Sequence, residues 1–190
     1  MRVIAGTAKG FKLFSPKDES IRPTVDRVKE SVYNILGQYF EGLDVLDLFA
    51  GSGANGIEFL SRGANLAIFI DASEEAIKII NKNLEHTKLK EKAQVFKMDY
   101  KRFLKTTNDK FNFIYLDPPF EDLHKYKTAL RIIRERSLLK EKGLVIAEVE
   151  KTKKIDSEGY EMVQKRDYGN TSILFFEILW KQYTQEALTL

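Results

Sequence analysis

The sequence predicts an α/β fold built on a doubly wound, mostly parallel seven-stranded sheet, and three observations carry that expectation. Short apolar runs alternate with helix-length amphipathic segments through the middle of the chain. A glycine loop follows the first of these runs. The last two strand-like runs have no helix-length segment between them, so the sheet should end in an antiparallel hairpin.

Taken in order, residues 2–4 and 11–14 read as a small N-terminal β-hairpin, and a helix begins at Thr24. Leu43-Asp44-Val45-Leu46-Asp47-Leu48 is apolar enough for a buried strand and runs through Gly51-Ser52-Gly53 into a helix over 54–62. Strands are expected at 66–70, 93–97, 112–116 and 143–149, with helices at 73–86, 99–105 and 124–136 between them. The closing strands fall near 160–166 and 172–179. This divides the chain into an N-terminal extension (1–40), an α/β domain (41–179) and a tail (180–190) to which no function is assigned.

Composition excludes several classes. With 190 residues and 43% hydrophobic content the chain can bury a real core. No stretch approaches eighteen apolar residues and no signal-peptide pattern opens the chain, so a cytoplasmic protein without membrane association is expected. No cysteine is present, which removes disulfides, a thiol nucleophile and a cysteine zinc site. The two histidines, His86 and His124, lack metal-ligand spacing, and no metal is expected. No feature demands more than a monomer. The net charge of +3 sits wholly in residues 1–40, which hold seven Lys or Arg against four acids; the rest carries 24 of each sign. A basic extension beside an α/β domain suggests contact with a polyanion, although ordinary surface lysines would look the same.

The chemistry lies in two motifs. Gly51-Ser52-Gly53-Ala54-Asn55-Gly56 lets the backbone approach a ligand closely, and Asp71, 20 positions after Gly51, ends the next strand where it could meet ribose hydroxyls. The same spelling fits a dinucleotide fingerprint, so an NAD-linked enzyme is one reading. Against it, three residues separate Asp47 from Gly51, whereas that fingerprint turns on glycine directly after its strand. The second motif is Asp117-Pro118-Pro119-Phe120. Prolines lack N–H groups and leave their carbonyls free. An amine held between the Asp117 carboxylate and the Pro118 carbonyl can donate both hydrogens, while Phe120 offers a stacking face. That pattern suits methylation of an exocyclic amine on a nucleobase, guanine or adenine. Gly51, Asp71, Asp99 and Asp117 each follow a predicted strand end, which is where open α/β sheets bind ligands. Asp99 could equally be a helix N-cap, unless its two oxygens divide the work.

Val45-Leu46-Asp47-Leu48-Phe49-Ala50-Gly51-Ser52-Gly53 resembles the first motif of S-adenosylmethionine-dependent methyltransferases. Together with Met1-Arg2-Val3-Ile4-Ala5-Gly6, Arg22-Pro23-Thr24-Val25-Asp26-Arg27-Val28-Lys29-Glu30, the Asp117 tetrapeptide and Tyr168-Gly169-Asn170-Thr171, it makes residues 1–179 resemble the bacterial 16S ribosomal RNA guanine-N2 methyltransferase family. The resemblance implies a Rossmann-like class I methyltransferase fold, S-adenosylmethionine as cofactor and S-adenosylhomocysteine as product. It implies transfer to guanine 966 of 16S ribosomal RNA in an assembled or partly assembled small subunit. Asp117, Pro118, Pro119 and Phe120 would be catalytic. Asp47, Phe49, Gly51, Ser52, Gly53, Asp71, Ala72, Asp99 and Tyr100 would hold the cofactor. Arg2, Lys9, Lys12, Arg22, Thr24 and Arg27 would meet RNA, with a structural ion pair as the other reading of Arg22 and Arg27. The sequence departs from the family pattern at Asp71, where Glu is more usual, at Phe120 for Tyr, and at Asn170, where Asp is common.

Overall fold

The order of apolar runs along the chain translates directly into a sheet. In a computed structural model, which describes residues 1–15, 23–119 and 122–179, the parallel strands are β1 (Asp44–Asp47), β2 (Leu66–Asp71), β3 (Ala93–Lys97), β4 (Phe111–Leu116) and β5 (Leu139–Glu150). An antiparallel pair, β6 (Tyr160–Tyr168) and β7 (Thr171–Ile178), completes the order β3-β2-β1-β4-β5-β7-β6. The helices are α1 (Pro23–Leu36), α2 (Ala54–Ser61), α3 (Glu74–Thr87), α4 (Tyr100–Thr106) and α5 (Leu123–Glu135), with a 3-10 turn at Lys90–Lys92. The chain reverses its direction of winding between β1 and β4, so the switch point lies above those two strands.

Alternation along each strand creates two cores. Leu46, Ile114, Val145 and Ala147 point to one face, covered by α4 and α5 through Phe103, Tyr126 and Ile133. Val45, Phe113, Tyr115 and Ile146 point to the other, covered by α1, α2 and α3 through Val32, Tyr33, Phe59 and Ile80. Local chemistry fixes the helix starts. Ser73 caps α3 by accepting from the Ala76 N–H at 3.3 Å, with Glu74 and Glu75 in the first turn. Gly56 in α2 lies against the ring of fully buried Phe69; a Cβ there would come within 2.2 Å of it, so glycine is required for helix and sheet to meet.

The N-terminal extension packs into the second core rather than standing apart. Arg2 and Lys12 form an antiparallel bridge, supported by Val3 N–H to Phe11 O at 3.0 Å and Gly10 N–H to Val3 O at 2.9 Å, in place of two full strands. Val3, Ala8 and Leu13 are buried beside Val28, Val32 and Tyr33. The tie that holds it is Glu58, fully buried on α2. Its carboxylate accepts from the N–H groups of Ile4 (2.8 Å) and Ala5 (3.0 Å), from Arg62 Nε at 2.9 Å, and pairs with Lys29 Nζ at 3.1 Å. Asn83 adds a second tie, accepting from the Phe14 N–H at 2.7 Å and donating to Phe14 O and Ser52 O. Among the described residues no helix is long and apolar enough to cross a membrane.

Candidate active site

A cavity of about 1200 Å³ opens over the carboxyl ends of β1, β2, β4 and β5, where the switch point predicts a ligand. On the β1–β2 side the glycine loop forms its wall. Gly51 has φ +53°, and a Cβ there would project into open space. Asp71 holds this loop as well as lining the cavity: one oxygen accepts from the Gly51 N–H at 2.9 Å, the other from the Ser73 N–H at 2.8 Å. Each oxygen retains a further lone pair for a hydroxyl. Asp99 caps α4 with Oδ1 alone, which accepts from Lys101 and Arg102 N–H groups, and the residue also lines the cavity. The division of its oxygens that a double role requires is therefore present. Phe49 and Tyr100 line the same side with ring centroids 5.0 Å apart, and Ser52 and Ala72 join them.

Two residues expected at the cofactor lie behind the wall. Asp47 is buried beneath the loop, where its Oδ2 accepts from the Gly56 N–H at 2.9 Å and fixes the start of α2. Burial pushes its carboxyl up to about 7, with Asp71 adding repulsion while the Gly56 N–H and Lys29 pull the other way. It holds the loop from below, because it lies level with buried Phe69 and Tyr115 rather than at the rim where Asp71 and Asp117 stand. Gly53 faces Ile80 and Phe69 in the core, not the cavity.

The β4–β5 side carries the Asp-Pro-Pro segment. Asp117, buried Pro118 and exposed Pro119 line the cavity directly after β4, together with Tyr115, Glu148 and the Tyr168–Thr171 turn. Helix α1 roofs this end through Val28 and Lys29, and the Ser31 and Tyr168 hydroxyls hydrogen-bond across to the β6–β7 turn. Phe120 and Arg22 lie outside the described residues, as do the side chains of Thr24 and Arg27. Arg2, Lys9 and Lys12 are exposed on the extension. Sequence reasoning missed Lys29, Asn83, Glu58 and Glu148. Lys29 stood inside the quoted Arg-Pro-Thr segment, but nothing local marks the others, whose partners lie on distant elements.

The lining decides what the cavity can take. Among its described residues are four acids, Asp71, Asp99, Asp117 and Glu148, against Lys29 and Lys125, which are already paired with Glu58 and Asp122. That balance disfavours a diphosphate and weighs against the NAD reading. A cationic sulfonium with a ribose and an adenine fits the acids, the open glycine and the aromatic pair. Among the described residues no group of side chains could hold a metal ion.

Residues 1–177 match the family described as Conserved hypothetical protein 95. A Bacillus subtilis (strain 168) protein named as a proposed rRNA methyltransferase, YlbH, is 40% identical over 93% of this chain and 98% of its own length. Ribosomal RNA small subunit methyltransferase D of Haemophilus influenzae is 34% identical, covering 93% of each chain. A solved structure from Escherichia coli, titled as a proposed methyltransferase, superposes with a TM-score of 0.81 at 25% identity over 94% of this chain and 97% of that one. By its nearly full-length match, this chain belongs to the Conserved hypothetical protein 95 family of rRNA methyltransferases resembling small subunit methyltransferase D.

Proposed function

We propose that this protein transfers a methyl group from S-adenosylmethionine to the exocyclic 2-amino group of guanine 966 in 16S ribosomal RNA, within an assembled or partly assembled small subunit. The coarser statement, an S-adenosylmethionine-dependent rRNA methyltransferase, follows from family membership. The observation that best supports the finer one is the Asp117-Pro118-Pro119 segment on the wall of the cavity that the glycine loop also lines.

When bound, S-adenosylmethionine supplies a methyl group activated on a sulfonium. The chain's own residues then have three tasks. The Asp117 carboxylate and the Pro118 carbonyl accept the two amine hydrogens and orient the nitrogen lone pair toward the β1–β2 side of the cavity. That lone pair is delocalised into the guanine ring, so holding the amine rotated raises its reactivity. As positive charge grows on nitrogen, the Asp117 carboxylate stabilises it. No strong base is needed, because the methylated arylammonium is acidic. Positioning of this kind is worth on the order of 7–11 kcal/mol in well-oriented reactions. The base must leave its stack to enter the cavity, and Phe120 is expected to replace part of that stacking. The exposed Arg2, Lys9 and Lys12, with Arg22 and Arg27, would hold RNA phosphates.

The test is transfer of labelled methyl from S-adenosylmethionine to small subunits from a strain lacking the gene, followed by mapping of the modified nucleotide. A single N2-methylguanine at position 966 is expected. Label in another base, or in no RNA at all, overturns the finer reading.

A further inference from the structure

Building on that reading, we propose that Glu148 selects guanine by accepting a hydrogen bond from its N1–H. Strands β4 and β5 run parallel with Tyr115 beside Ile146 and Leu116 beside Ala147. Continued one step past the end of β4, the same register sets Asp117 next to Glu148 on the sheet face that carries Tyr115 and Ile146, and both residues line the cavity. Neighbouring strands are about 4.8 Å apart, so two acceptors on adjacent strands can meet two adjacent N–H groups of one base. Guanine presents such a pair, N1–H next to the 2-amino group.

The carboxylate is poorly served by the protein. Its Oε2 accepts from the Tyr115 hydroxyl at 3.3 Å, and no cation pairs with it among the described residues. The backbone carbonyl of the same residue accepts from the Tyr126 hydroxyl, which ties this part of β5 to α5. Burial pushes the Glu148 carboxyl above its ordinary range, with the Tyr115 hydroxyl acting against that. A half-buried carboxylate lacking a counter-ion among the described residues gains from any N–H donor that enters the cavity. Adenine offers a lone pair at N1, which Glu148 would repel. Asp117 and the Pro118 carbonyl take any exocyclic amine alike; Glu148 supplies the discrimination they lack.

The decisive probe keeps the reacting amine and removes the N1–H. 2-Aminopurine does this, since its 2-amino group is unchanged while N1 becomes an acceptor. Small subunits reconstituted on 16S rRNA carrying either guanine or 2-aminopurine at the mapped target are methylated by wild-type protein and by Glu148→Gln. A hydrogen bond to a charged group sets the wild-type preference for guanine at roughly 10- to 150-fold in kcat/KM. In Glu148→Gln the carboxamide can donate to the 2-aminopurine N1, so the preference should shrink at least about tenfold, partly by a gain on the analogue. Glu148→Asp, which keeps a carboxylate, should retain the preference at reduced kcat/KM. An unchanged ratio in Glu148→Gln, an equal loss on both bases, or a ratio in Glu148→Asp as small as in Glu148→Gln overturns the assignment. Failure of wild-type protein to methylate the guanine particle would instead overturn the proposed function.

Discussion

Replacing Glu58 by Ala should be the most damaging single change outside the cavity. The carboxylate is fully buried and neutralises two cations, Lys29 and Arg62, that are themselves buried, while satisfying the Ile4 and Ala5 N–H groups. Breaking a buried pair by removing one partner costs about 3–5 kcal/mol, because the remaining charge is left uncompensated in low dielectric. For a chain of this size each kcal/mol lowers Tm by roughly 2–4 °C, so a drop of about 6–20 °C is expected. Calorimetry reads that loss directly. Glu58→Gln keeps one acceptor oxygen and should fall between the two. Limited proteolysis should find cleavage within residues 1–15 in Glu58→Ala below its unfolding temperature. A Tm change smaller than about 2 °C, with the extension still protected, would refute the view that this carboxylate holds the extension down.

Four further outcomes are expected. Gly56→Ala forces a Cβ against the buried Phe69 ring and should cost about 1–3 kcal/mol; Phe69→Leu in the same chain should recover part of it, and strict additivity of the two would contradict the packing argument. Asp47 has a folded pKa of about 7 against an ordinary 3.8, so between about pH 4 and pH 7 the unfolded chain loses this proton while the folded one keeps it, and stability falls as pH rises through that window. The ionised form is disfavoured by up to about 4 kcal/mol, so the Tm of Asp47→Asn relative to wild type should be most favourable above pH 7 and decline toward pH 4; a pH-independent difference would count against it. Asp117→Ala should bind S-adenosylmethionine within about twofold of wild type yet lose roughly 10²- to 10³-fold in kcat, and parallel loss of both would remove its assigned role. Lys9→Gln with Lys12→Gln should lower the slope of log affinity against log salt for RNA by about 1 per lost phosphate contact, whereas an unaltered slope would show that the extension does not meet the backbone.

Where local chemistry decides structure, the sequence was readable to within a residue or two. The helix expected at 73–86 is Glu74–Thr87, and the strand expected at 93–97 is Ala93–Lys97. Strand β5 begins earlier than its apolar run, at Leu139, because Lys142 at φ +59° and the register shift opposite Phe111–Phe113 carry a polar detour within the strand. The cavity side chains of Asp71, Asp99 and Asp117 were legible because each follows a strand end. Asp47 misled because it shares their motif and their sheet face but lies two residues deeper, level with Phe69 and Tyr115 and beneath the loop. Glu148 was hidden for a different reason: it reads as an ordinary acid in an apolar strand, and only its place on β5 just past the Leu116–Ala147 pair brings it to the cavity that Asp117 lines. Glu58, likewise, looks like any helical glutamate until Lys29 and the first residues of the chain fold over it.

The extension's ties also set the order of folding events. Ile4 meets Glu58 across 54 positions and Phe14 meets Asn83 across 69, so neither contact can form until α2 and α3 are in place on their strands. The central sheet closes a loop just as long where Val45 pairs with Phe113, but it buries a whole core in return, whereas the extension needs that core already formed, which favours docking of the first residues last. Contacts made after the rate-limiting step leave the folding rate nearly unchanged and act almost wholly on the rate of unfolding. Weakening the Glu58 cluster should therefore shorten the lifetime of the native state while the protein still refolds at its usual speed.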